Sequence, residues 1–157
     1  MKTKIETSAG GIVFKKENGK ILWLICQHSY HQGWVFPKGL IGDKKEDEDI
    51  KEAALREVEE EGGVKAKIID ETPVKVFYTY QWQGSPHGGK NGEKMLVKKT
   101  VYYFLMEYLS GDPKNHDWEM SNAKFVLEEE AKKMLTYKSD REAFEKILKI
   151  FKNHFLQ

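Results

Sequence analysis

The chain has 157 residues, with Lys+Arg of 26 against Asp+Glu of 25 and a formal net charge of +1. That length suits one domain, 1–157, with a core of its own, and the balanced charge speaks against an extended nucleic-acid surface, which needs a basic excess. The single cysteine, Cys26, cannot form an internal disulfide, and no stretch approaches the roughly 20 apolar residues of a membrane span.

The start, MKTKIETSAGGIVF, has too short an apolar run for a signal peptide, so a cytoplasmic location is expected. Lys4 to Lys16 reads as a strand interrupted at Gly10-Gly11, where a bulge or a close backbone approach is expected. Asn18-Gly19 marks a hairpin tip, and Ile21 to Gln27 returns as a partner apolar enough to be buried on both faces. Cys26 lies in that run as a buried, inert thiol. The segment WVFPKG then reads as a strand that stops, because Pro37 removes a ladder donor and Gly39 frees the backbone after it.

Asp43 to Asp49 is a dense run of mixed charge, expected to be a solvated loop. A helix begins near Glu48 with acidic residues in its first turn and stops at Gly62-Gly63. Its apolar positions Ile50, Ala54 and Val58 are spaced by four. At about 100° per residue, Glu57 and Glu61 fall within roughly 20° of Ile50, so the apolar face ends in carboxylates. Carboxylates at the edge of a buried face want a counter-charge, and a divalent cation supplies one.

Lys65 to Ile69 and Val74 to Trp82 read as strands, the second rich in β-branched and aromatic residues. Gln83 to Glu93, with four glycines and a proline, is a loop joining two strands. Val97 to Tyr108 is the longest strand pattern, and Ala123 to Val126 a short one. Two helices close the chain, Leu127 to Leu135 and one opening at Ser139, with Glu142 placed for a capping box. Phe144, Ile147, Leu148, Ile150 and Phe151 give the last helix an apolar core-facing stripe. The element order implies an α+β sandwich with a mixed sheet.

From Gly42 to Val64 the chain carries Gly42, Glu48, Arg56, Glu57, Val58, Glu60, Glu61, Gly63 and Val64 in the spacing G-x5-E-x7-R-E-V-x-E-E-x-G-V. This resembles the signature box of the Nudix hydrolases, with every specified position filled. AGGIVF near the start, WVFPKG before the box, KTVYYFL after it, and Glu119 ahead of FVLEEEA extend the likeness, most closely to the asymmetric dinucleoside tetraphosphate hydrolase branch. The resemblance implies a Nudix-type α/β/α sandwich, a Mg²⁺ or Mn²⁺ cofactor, a small-molecule nucleotide substrate, and attack of water on a pyrophosphate bridge. Dinucleoside tetraphosphate is the expected substrate. Oxidised nucleoside triphosphates, RNA 5′ ends and a silent nucleotide-sensing module are the alternatives.

The implied metal set is Glu57, Glu60, Glu61 and Glu119 with the backbone of Gly39, and Glu60 or Glu119 is the implied base. The positions i, i+3 and i+4 of Glu57, Glu60 and Glu61 let one helix face present all three to a hard cation. Glu59 points away. Arg56 and Glu48 are expected to pair behind the site. Lys38 and Lys99 are the candidate phosphate contacts, and only one of Lys98 and Lys99 can face the site on an alternating strand. Tyr103 matches a family position that stacks on a base, with Tyr78 and Tyr80 as weaker candidates. His31 or His87 could donate to a phosphate, and the histidines with His28 lack a third partner for zinc. Counted from PKG, Glu48 comes about three residues late. The loop therefore leaves open which carbonyl between Gly39 and Gly42 meets a metal, and whether Glu48 or Glu46 pairs with Arg56.

Overall fold

A computed structural model describes residues 1–42, 48–83 and 94–155. Asn18 and Gly19 both take positive φ, 51° and 77°, which suits the twist of a two-residue hairpin. The turn pairs β1 (Lys2–Glu17) antiparallel with β2 (Lys20–His28). Beyond it come β3 (Trp34–Val35), β4 (Lys38–Leu40), α1 (Ile50–Gly62), β5 (Val64–Ile68), β6 (Val74–Gln83) and β7 (Lys94–Gly111). A 3-10 turn at Pro113–Asn115 leads to β8 (Met120–Leu127), α2 (Glu128–Met134) and α3 (Lys138–Phe155).

The sheet is mixed and runs in the order β3-β2-β1-β7-β5. The spine is the parallel pairing of β1 with β7 from Lys2↔Met95 to Phe14↔Glu107. On its other edge β7 takes β6 along its first half and β5 along its second. Strand β8 lies against β2, and β4 against Ser8 to Gly10 of β1. Alternation along β1 sends Ile12 and Phe14 into one core and Ala9 and Val13 into the other. The first core is closed by α2 and α3, through Ala131, Ala143, Phe144, Ile147, Leu148 and Phe151. The second is closed by α1, through Ala53, Ala54 and Val58. Each fully buried large side chain of the α3 stripe contributes about 1.5–3 kcal/mol relative to exposure. The α/β/α sandwich is therefore the architecture observed.

Two local expectations change, and Gly10-Gly11 takes the second of its two expected forms. The segment WVFPKG is split: β3 stays on β2, whereas β4 crosses to β1. Pro37 has no N–H to continue the first ladder, and its carbonyl instead accepts from Gly11 N–H at 3.2 Å. Gly10-Gly11 forms no bulge but a close approach, since a Cβ at Gly10 would lie 2.1 Å from Pro37 O. The last helix starts at Lys138, so Ser139 lies inside its first turn and Glu142 pairs with Lys138 at 3.6 Å. The loop 84–93, with His87, and the charge run 43–47, with Glu46, lie outside the described residues. Among the described residues no helix is long and apolar enough to cross a membrane.

Candidate active site

The caps of α1 fix which residues it presents. Asp49 accepts from Glu52 N–H at 2.8 Å, and Gly63, at φ 74°, ends the helix by donating to Glu59 O at 3.0 Å. Between these caps Ala53, Ala54 and Val58 face the core. On the same flank Glu57 and Glu61 are only 4 % and 5 % exposed, whereas Glu59 is exposed. Strand β4 closes over them. Lys38 N–H donates to Glu61 Oε1 at 3.1 Å, and a Cβ on Gly39 would lie 2.1 Å from the Glu57 carboxyl carbon. Glycine at 39 is what lets the strand come this close.

Behind that wall Arg56 forks onto Glu48. Its Nε donates to Glu48 Oε2 at 2.6 Å and its Nη2 to Oε1 at 2.8 Å. Nη1 reaches forward to Glu57 Oε1 at 2.7 Å and Glu60 Oε2 at 3.2 Å. Glu48 also accepts from Gly42 N–H at 3.4 Å, which ties the start of the box to the helix. These partners hold the guanidinium well above its ordinary value, first through the bond to Glu48. Arg56 and Glu48 thus stand outside the cavity lining, and of the two carboxylates left open for Arg56 the described residues contain Glu48 in the pair.

In front lies a cavity of about 860 Å³. Glu57, Glu60, Glu61 and Glu119 line it together with Lys38, Gly39, Lys99 and His31. Phe77, Tyr78, Tyr80 and Tyr137 supply aromatic wall, and His28 lies at the same surface. His28 and His31 stack with ring centroids 4.1 Å apart. Backbone N–H groups point at Nδ1 of each, from Tyr30 at 3.1 Å and Gly33 at 3.0 Å. Glu6 reaches toward Lys99 at 3.8 Å and accepts from Tyr80 OH at 3.1 Å.

Burial pushes the Glu57 carboxyl up to about 7, against the pull of Arg56. Burial pushes Glu61 higher, to about 9, against the pull of Lys38 and with Glu57 adding to the rise. Burial alone would lower Lys38, but Asp140, Tyr78 and Glu61 together hold it above its ordinary value. Lys99 is lowered by burial and then by Lys38. Buried hard oxygen donors with too little positive charge beside them fit a hard divalent cation. Among the described residues no three His, Cys, Asp or Glu side chains close into a metal-ligating group. The acidic groups instead share Arg56 and the Lys38 N–H as partners. The donor chemistry fits the cation.

Tyr103 corrects the sequence reading. It is 2 % exposed, packs edge-on against Phe36 and donates to Asp140 Oδ1 at 3.3 Å, so its faces are not open to a base. The strand parity was right, since Tyr103 shares a face with Lys99, but α3 covers that face four residues further along. Tyr78 and Tyr80 line the cavity in its place. Lys98 is absent from the lining while Lys99 is part of it. Sequence reasoning missed Asp140 and Tyr137. The signal for Asp140 was available: it continues the apolar stripe of α3 with a carboxylate, as Glu57 and Glu61 do on α1.

Comparisons with known proteins bear on the family and the fold. The NUDIX domain family matches residues 5–147. A crystal structure of a C. elegans Ap4A hydrolase binary complex superposes with a TM-score of 0.70 at 27% identity, covering 94% of this chain and 99% of that one. The putative mutator protein MutT4 of Mycobacterium tuberculosis is 29% identical over 147 residues, 90% of this chain and 54% of that protein. Nudix hydrolase 16, mitochondrial, of Arabidopsis thaliana is 30% identical over 117 residues, 73% of this chain and 59% of that protein. The chain thus spans between about half and three fifths of the length of these curated relatives.

Proposed function

Because the chain belongs to the NUDIX family, we propose that it hydrolyses a pyrophosphate bond in a nucleoside diphosphate derivative. The substrate we assign is a dinucleoside tetraphosphate, cut asymmetrically to NTP and NMP. The observation that carries the reading is the pair of buried carboxylates, Glu57 and Glu61, facing one cavity with Lys38, Lys99 and the tyrosines of β6. The likeness to the Ap4A hydrolase of C. elegans supports the choice of substrate.

Glu57, Glu60 and Glu61, with the Gly39 carbonyl, would hold Mg²⁺ or Mn²⁺, and Glu119 stands beside them in the role of base. When bound, the cation neutralises phosphate charge and makes its coordinated water more acidic. The chain's own groups do the rest. Lys38 and Lys99 bind phosphate oxygens as point charges, and His31 donates a hydrogen bond at the cavity mouth. Tyr78 and Tyr80, tilted rings with centroids 6.2 Å apart, offer a face for a base. Glu119, which lines the same cavity, takes the proton from the attacking water. Water oxygen joins phosphorus, the bridging P–O bond breaks, and the bridging oxygen leaves with the departing phosphate. Arg56 and Glu48 keep the carboxylate wall in place. Residues 1–157 act as one unit in this account.

The test is a panel of dinucleoside polyphosphates, oxidised triphosphates, 5′-triphosphorylated RNA and nucleotide sugars with Mg²⁺, followed by product chromatography. ATP and AMP in equal amounts from diadenosine tetraphosphate is the expected result. Faster turnover of another class would replace the substrate. No turnover of any member with Mg²⁺ or Mn²⁺ would remove the hydrolase reading.

A further inference from the structure

Register across three strands sets one row of side chains along the edge of the cavity. Glu6 of β1 pairs with Lys99 of β7, and Lys99 with Tyr78 of β6. The next row outward holds Lys4, Val97 and Tyr80 in the same strand order. Paired residues, and residues two apart on a strand, share a face of the sheet. Glu6, Lys99, Tyr78 and Tyr80 therefore stand together on one face. Lys99, Tyr78 and Tyr80 line the cavity, whereas Glu6 is absent from its lining.

The Glu6 side chain is nevertheless only 12 % exposed, much as Lys99 is at 15 %. Its Oε1 meets two partners: Lys99 Nζ stands 3.8 Å away, and Tyr80 OH donates to it at 3.1 Å. Oε2 lies 3.4 Å from Lys4 Nζ, whose side chain is 56 % exposed. One oxygen thus joins an ammonium of β7 to a phenol of β6. A carboxylate beside a phosphate-binding ammonium repels an incoming phosphate, so Glu6 is placed to hold the protein's groups and not the substrate. A free lysine head and an untethered ring both lose rotamer entropy when a ligand orders them. A shared, nearly dry acceptor removes part of that cost beforehand.

We propose that Glu6 is a positioning residue, which sets the Lys99 ammonium and the Tyr80 ring relative to each other and acts on substrate only through them. This rests on the assignment of Lys99 to a substrate phosphate and of Tyr80 to a base. A Glu6 that made only a surface ion pair would answer to Lys4, so Lys4→Met is the control. Glu6→Gln keeps an acceptor for Tyr80 OH and removes the charge that faces Lys99. Tyr80→Phe keeps the ring and removes its tether.

Two measurements decide it. The first needs no substrate: nitrogen-15 relaxation of the lysine side-chain ammonium groups in the full chain. Lys99 should be more ordered than the exposed Lys98 in the native protein and in Lys4→Met, and should lose that order in Glu6→Gln with Tm within a few degrees of native. Unchanged order of Lys99 in Glu6→Gln overturns the proposal. The second is kinetic, with diadenosine tetraphosphate and Mg²⁺. Glu6→Gln should raise KM on the order of 5-fold with kcat little changed, and should add nothing to Lys99→Met. Tyr80→Phe should raise KM by less than Tyr80→Ala does, and Lys4→Met should leave it native. A native KM in Glu6→Gln, or multiplying losses in its double variant with Lys99→Met, overturns the proposal. If the native chain does not turn over this substrate, the substrate assignment fails, and the relaxation result still decides whether Glu6 positions Lys99.

Discussion

Glu61 shows at single-residue scale how the site sets its own pH response. Its carboxyl is pushed from an ordinary 4.5 up to about 9, first by burial. Between those values the folded protein holds a proton that the unfolded chain has released, so stability falls as pH rises through that window. Glu57, raised to about 7, adds to the fall over the lower part of it. Calorimetry in the presence of a chelator should therefore give a Tm that drops from pH 5 to pH 9. In Glu61→Gln the drop above pH 7 should flatten, and the Tm at pH 7 should stay near native, since the protonated acid and the amide are close in charge and shape. Parallel curves for the two proteins would count against the burial argument.

Aromatic residues divide by the same logic. Tyr103→Ala removes a fully buried ring and should cost about 3–5 kcal/mol of stability by denaturant unfolding. Tyr80 is 38 % exposed at the cavity, and Tyr80→Ala should raise KM several-fold with Tm within a few degrees of native. A Tyr80→Ala enzyme with native KM would remove that ring from the base site. Parity along β7 was readable from the chain, because Lys99, Val101 and Tyr103 alternate with Thr100 and Tyr102. How far α3 extends over that face was not, because coverage by a helix more than thirty residues away leaves no local period.

At the scale of elements, α1 and β4 form the working unit, joined by Lys38 N–H to Glu61 and backed by the Arg56–Glu48 fork. Arg56→Met would leave Glu48, whose side chain is 3 % exposed, without its fork and should destabilise the fold by about 3 kcal/mol. Gly39→Ala is a sharper probe. Its Cβ would fall within 2.1–2.4 Å of the Glu57 carboxyl atoms, so that side chain must move. The expected result is a kcat loss much larger than the loss in Tm, measured side by side; equal losses would make Gly39 a packing residue only. The helix end was legible because three signals agree there: acidic residues on the apolar stripe, their i, i+3, i+4 spacing, and Gly63 as the stop. The WVFPKG segment was half legible. Pro37 announces a break, but only the sheet shows that the chain changes partner strand at it.

For the whole molecule, the alternation of strands and helices gave the mixed sandwich, and the charge balance agreed with a local rather than a general anionic site. The parallel β1–β7 pairing that builds the spine joins residues roughly ninety positions apart, and pattern reasoning on single segments has no access to it. Asp140 reaches the site by the same long route, from the last helix to a strand near the start. The site is thus assembled from both layers of the sandwich, whereas its sequence signature sits in one. On the proposed metal assignment a divalent cation and protons compete for Glu57 and Glu61, so adding Mg²⁺ should raise Tm more at pH 8 than at pH 5.5. An equal rise at both would detach the cation from these carboxylates.

The central claim is that the carboxylate wall of α1 is where a pyrophosphate bond is cut. Its most direct test is the steady-state turnover of diadenosine tetraphosphate by Glu57→Gln with saturating Mg²⁺, beside its Tm. The account predicts a loss of several orders of magnitude in kcat with Tm at or above native, because a buried, repelled charge is removed while the helix keeps its shape. Native turnover in that variant would contradict it.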